Sequence, residues 1–169
     1  MPMIPFIERF RDLGTKETRT LLVKPEPGIP GGAFGLFELY CDEPGCDCRR
    51  VIISVLKPET GWRKVWATIG YGWESADFYL KWSRGHSDPF EMQGPALDEL
   101  NPQSEYSEML LELFKQVLES PGYVERLKRH YQMFRGTVET GPRRLDNVEA
   151  NRIENKRKRL RDPKRRSRH

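Results

Sequence analysis

The sequence has no long apolar run. Nothing in its 169 residues approaches the ~18 consecutive apolar residues of a membrane span, so a membrane-embedded protein is not expected. The start, Met1-Pro2-Met3-Ile4-Pro5-Phe6, has neither the basic segment nor the apolar stretch of a secretory signal, and the expectation is a cytoplasmic chain. Histidine is scarce, with 3 residues, and cysteine equally so, with 3. A small, odd cysteine count speaks against a disulfide framework. There is no HExxH, no His-x-Glu paired with Pro-Cys-x-x-Cys, no GxGxxG and no Walker lysine pattern. Metalloprotease, nucleobase deaminase and nucleotide-binding readings therefore lack their signatures.

Acidic residues are thin in one region only. From Arg143 onward the chain has 12 Lys and Arg against 4 Asp and Glu, leaving 17 against 21 before it. The pI of about 9.0 thus belongs to the C-terminal segment, and the body ahead of it is acidic. Such a division describes an acidic domain with a basic extension.

All the cysteines present lie in Tyr40-Cys41-Asp42-Glu43-Pro44-Gly45-Cys46-Asp47-Cys48-Arg49-Arg50. Apolar, strand-like sequence leads into this stretch and out of it, and Pro44-Gly45 favours a backbone reversal. The spacing Cys-x4-Cys-x-Cys places three thiols on one turn, where they can converge on an ion at small entropic cost. Zinc accepts about four such ligands in a tetrahedron. The competing reading is three incidental reduced thiols, which clustering around a turn disfavours. His130 is the leading candidate for a fourth ligand, because its spacing from Tyr123, Leu127 and Phe134 puts it on the inner side of a helix. His86, a carboxylate such as Asp42 or Asp47, or water are the alternatives; a hydrogen-bonded core histidine is the plain alternative for His130. Arg49 and Arg50 favour thiolates nearby.

Periodicity supplies the rest. A short helix is expected over Pro5–Leu13 and strands over Glu17–Val23, Ala33–Tyr40, Arg50–Leu56 and Trp62–Tyr71. Residues 24–32 hold three prolines and three glycines and read as loop. A short helix is expected over Glu74–Trp82, then loop to Pro89. Asn101-Pro102 and Ser120-Pro121 read as starts of two helices. Tyr106, Met109, Leu110, Leu113, Val117 and Leu118 form the apolar stripe of the first. Tyr123, Val124, Leu127, Tyr131 and Phe134 form that of the second, with Gly136 as its stop. The aromatic middle, Trp62 to Trp82, is expected to fill the interface between sheet and helices.

The expected fold class is α+β. A small antiparallel sheet of three or four strands carries a C-terminal helical hairpin on one face, in a single domain over 1–140. A basic tail over 141–169, expected to be disordered in isolation, follows. The functional expectation is a non-enzymatic zinc-binding protein using Cys41, Cys46, Cys48 and His130. Its tail would contact nucleic acid or a ribonucleoprotein through Lys156, Arg157, Lys158, Arg159, Lys164, Arg165, Arg166 and Arg168. A metal-dependent hydrolase or thiol redox protein on the same cysteines, and an adaptor for an acidic protein, are the alternatives.

Overall fold

The computed structural model describes residues 2–140. The expected basic tail over 141–169, with its clusters at 156–159 and 164–168, lies outside the described residues. The first elements are β1 (Met3–Pro5), α1 (Phe6–Arg9) and α2 (Arg11–Glu17). The helix expected over Pro5–Leu13 is therefore two, divided at Phe10, where φ is −127° and ψ 63°. The Phe10 ring stacks on Phe6 at 4.8 Å, which turns it inward at the cost of helical geometry.

Four strands follow: β2 (Arg19–Val23), β3 (Gly32–Cys41), β4 (Arg50–Leu56) and β5 (Val65–Gly72). Then come α3 (Ala76–Trp82), α4 (Pro89–Gln93), β6 (Ala96–Leu97), α5 (Ser107–Leu118) and α6 (Tyr123–Thr140). The sheet runs β1-β3-β4-β5-β6, with β2 also pairing β3, and every pairing is antiparallel. The class is α+β, and the described residues give a sheet of six strands where three or four were expected. The additional strands, β1 and β6, are too short for an alternating pattern to show. They exist because Met3 lies opposite Cys41 and Ile69 opposite Leu97 at the sheet's edges.

Strand β4 is buried on both faces from Val51 to Leu56, as a central strand requires. On the helix-covered face, Phe34, Leu36 and Tyr40 of β3 join Val51, Ile53 and Val55 of β4 and Ala67 and Ile69 of β5 in the core. Helix α5 contributes Leu110, Phe114 and Val117, and α6 contributes Tyr123, Leu127, Tyr131, Phe134 and Val138. Helix α6 continues past Gly136 to Thr140, so the glycine is no stop. A helical glycine costs about 1 kcal/mol, less than the ~1.5–3 kcal/mol gained by burying each of Phe134 and Val138 around it.

The first helix of the pair starts at Ser107, later than Asn101-Pro102 suggested. The intervening chain extends the sheet edge instead. Asp98 N–H donates to Thr68 O at 2.9 Å and Ser104 N–H to Trp66 O at 3.1 Å. The Gln103 amide accepts from Thr68 N at 3.0 Å and donates to Thr68 O at 2.9 Å. Pairing the open edge of β5 outweighs the local capping signal. Of the aromatic residues, Trp66 is in the core and Tyr71, Trp73 and Trp82 pack against it, whereas Trp62 sits half-exposed in a 3-10 turn (Gly61–Arg63) ahead of β5.

One glycine links this frame to the cysteine turn. A Cβ on Gly72 would run into the Tyr79 hydroxyl and come within 2.8 Å of Met92 O. That hydroxyl donates to Arg49 O at 2.7 Å. Gly72→Ala is expected to cost about 1–3 kcal/mol, the range for overpacking, and to release the Arg49 end of the turn. Urea titration checks the first effect and amide exchange at residues 46–49 the second.

Candidate metal centre

Strand β3 runs into the cysteine turn at Cys41, which is fully buried, as is Cys48 at the far end; Cys46 is partly exposed between them. Cys46 N–H donates to Glu43 O at 3.2 Å and closes the reversal. Gly45, with φ +73°, takes the left-handed position that a glycine adopts without strain. Arg49 also has a positive φ, +43°, a conformation costly for a side-chain-bearing residue. It is held from two sides: Tyr79 Oη donates to its carbonyl, and its N–H donates to Tyr131 Oη at 3.4 Å.

The result is convergence. The sulfur atoms of Cys41, Cys46 and Cys48 all lie within 4.8 Å of one another, close enough to bind a metal ion. Thiolates bound to one zinc at ~2.3 Å in a tetrahedron stand ~3.8 Å apart, so small side-chain adjustments close the group. Without a metal, the sulfurs hydrogen-bond to one another. Hydrogen bonds from Cys46 and then Cys48 draw the Cys41 thiol far down, while the same bonds to Cys41 push Cys46 and Cys48 up. A divalent cation held there would replace the thiol protons and engage all three sulfurs at once.

The surrounding residues hold the turn in place. Glu43 N–H donates to Cys41 Sγ at 3.4 Å. Arg135 of α6, only 5% exposed, donates from Nη1 to Glu43 O at 2.9 Å and to Cys41 O at 3.3 Å. Its charge also favours the Cys41 thiolate. Asp42 is engaged by Arg9 and Asp47 by Arg49, the latter at 2.9 Å, so both neighbouring carboxylates have cationic partners. Arg135 was not singled out from the sequence, although its position four residues after Tyr131 places it beside the buried stripe. Arg135→Met is expected to weaken metal binding about 10–100-fold, as loss of groups that orient ligands generally does. Competition with a chromophoric chelator measures this.

His130 lies elsewhere. It is 1% exposed, as its helical spacing implied, but its ring faces carboxylates. Nδ1 is 2.6 Å from Glu38 Oε2 and Nε2 is 3.0 Å from Glu17 Oε2. Phe6 stacks on the imidazole at 4.2 Å, and Tyr40 Oη donates to the same Glu38 oxygen at 2.8 Å. Arg129 pairs with Glu17 at the surface end. Both imidazole nitrogens are thus committed, and His130 is not in the cysteine group. His86 is exposed in the loop after α3 and does not join the thiols either. Among the described residues, the metal-capable group consists of the three cysteines. The connection expected between turn and C-terminal helix exists, but Arg135 and Tyr131 make it.

Fold and site together define an α+β protein with a tri-cysteine, metal-capable turn at one end of an antiparallel sheet. Among the described residues, no helix is long and apolar enough to cross a membrane. No protein-family model, curated protein or solved structure matches the chain, so the functional reading rests on the site's own chemistry.

Proposed function

We propose that the chain is a zinc-binding protein that holds one ion through Cys41, Cys46 and Cys48 and acts as a binding module, without an enzymatic reaction. The observation that carries this reading is the approach of three sulfurs within 4.8 Å on a turn buttressed by Arg135, Tyr79 and Tyr131. Zinc suits a set of three thiolates by softness and by its tolerance of a tetrahedral site. Elemental analysis of the purified full chain is expected to find one zinc per chain and none in Cys41→Ser. A metal-free wild-type chain that takes up no zinc in titration would refute the reading.

The basic segment supports a second part of the proposal. Lys156, Arg157, Lys158 and Arg159, with Lys164, Arg165, Arg166 and Arg168, are dense enough to neutralise several phosphates, and no base-reading pattern accompanies them. The partner class is nucleic acid or a ribonucleoprotein, contacted mainly through its backbone. Affinity for RNA or duplex DNA should then fall steeply with salt, and truncation after Pro142 should abolish salt-sensitive binding. Retention of that binding by the truncated chain would move the interface to the body.

A further inference from the structure

The metal-capable turn faces a cavity that its structural support does not explain. A space of about 490 Å³ opens beside it, with Cys46 on its wall. Trp73 and Tyr131, in edge-to-face contact at 5.2 Å, form an aromatic side of it. Arg49, Lys128 and Arg135 bring positive charge to the lining, and Asp47, Glu74 and Glu139 bring negative charge. Arg135 Nη2 is buried without a hydrogen bond among the described residues; its nearest carboxylate, the exposed Glu139, is 3.7 Å away.

Three thiolates leave one position of a tetrahedral ion for a further donor, and sulfur is among the ligands that zinc takes there. The adjoining space has the volume of a small-molecule site. Arg49 is paired with Asp47 and Glu74, and Lys128 with Glu125, which leaves the buried Arg135 Nη2 as a donor for a ligand's carboxylate.

Resting on the zinc-binding reading, we propose that the centre binds a small carboxylate-bearing thiol, of the amino-acid or short-peptide class, through its sulfur. On binding, the thiol's S–H bond breaks and its proton passes to solvent. The sulfur would then take the ion's remaining position in place of a solvent molecule. The metal's oxidation state is unchanged.

Cobalt(II)-loaded full-length protein tests this, because its thiolate charge-transfer and ligand-field bands report the coordination sphere. L-cysteine is expected to raise the charge-transfer intensity saturably, with one equivalent bound, and L-serine to leave the spectrum unchanged. Ethanethiol is expected to bind at least about tenfold more weakly than L-cysteine, the worth of one charge-assisted hydrogen bond. Gln132→Trp, which fills the cavity from an exposed position on its wall, is expected to keep the starting spectrum and lose affinity for L-cysteine. No response to L-cysteine would overturn the proposal. So would an equal response to L-serine, equal affinity for ethanethiol, unaltered binding by Gln132→Trp, or cobalt stripped into the filtrate. A chain that never develops cobalt–thiolate bands fails earlier, and removes the zinc-binding reading itself.

Discussion

Replacing His130 with alanine is expected to destabilise the fold by about 1–3 kcal/mol, the usual cost of leaving a buried polar group without its hydrogen-bond partner. The His130 and Glu38 side chains are 1% and 6% exposed and 2.6 Å apart. With the imidazole gone, the buried Glu38 side chain keeps the Tyr40 hydroxyl but has lost the ring nitrogen at its Oε2 atom. The stack on Phe6 is lost as well. Urea denaturation measures the effect, and a loss below about 1 kcal/mol would show that the pair contributes little. Glu38→Leu combined with His130→Leu should recover much of the stability, because replacing both partners with apolar groups removes the desolvation cost along with the attraction. Tyr40 Oη then retains Leu127 O as acceptor, at 3.0 Å. Folded His130→Ala should still bind one metal, because the imidazole lies outside the cysteine group.

Zinc is expected to raise the melting temperature of the wild-type chain and to have no such effect on Cys41→Ser or Cys48→Ala. At a free concentration about 1,000-fold above Kd, a ligand specific for the folded state stabilises it by about 4 kcal/mol. For a chain of this size that is a shift of roughly 8–16 °C. The mechanism is confined to the turn. All three ligands lie within residues 41–48, so the ion tightens that connection instead of tying distant elements together. Arg135 then passes the constraint to α6 through Glu43 O and Cys41 O. Loss of metal should accordingly appear first as faster amide exchange over 42–49, ahead of global unfolding. A thermal scan and an exchange experiment, each with and without chelator, check the two parts. Identical melting in both conditions would count against any structural role for the metal.

Local sequence signals match the elements that they alone govern. Strand β4 occupies Arg50–Leu56 as its run of β-branched residues implied, and β3 differs by one residue at each end. The stripe Tyr123, Leu127, Tyr131 and Phe134 is the buried face of α6. Departures arose where a distant partner outweighed a local signal. Asn101-Pro102 would cap a helix in isolation, yet the chain there pairs the edge of β5. Gly136 would end a helix in isolation, yet buried neighbours on both sides carry α6 through it. On the first face of α5, Leu111 and Phe114 are buried while Met109 and Leu113 are only partly so. That small rotation of the helix depends on what it packs against.

The site shows the same division. Three cysteines within eight residues, around Pro44-Gly45, are kept near one another by chain connectivity, and contacts from Arg135, Tyr79 and Tyr131 hold the turn in which their sulfurs converge. His130 could be assigned to an inner helix face from its spacing, but its partner could not. Glu38 stands 92 residues away in sequence. Glu38 is a charged residue within a strand, and nothing local marks it as pointing toward the helices. Only the register of β3 and the rotation of α6 set those two side chains face to face, and the same rotation carries Arg135 to the cysteine turn. The sequence by itself determined the metal-capable group, a matter of short-range geometry. The tertiary structure decided which helical residue supports that group and which is committed elsewhere, because residues so far apart meet only once the sheet and helices have packed.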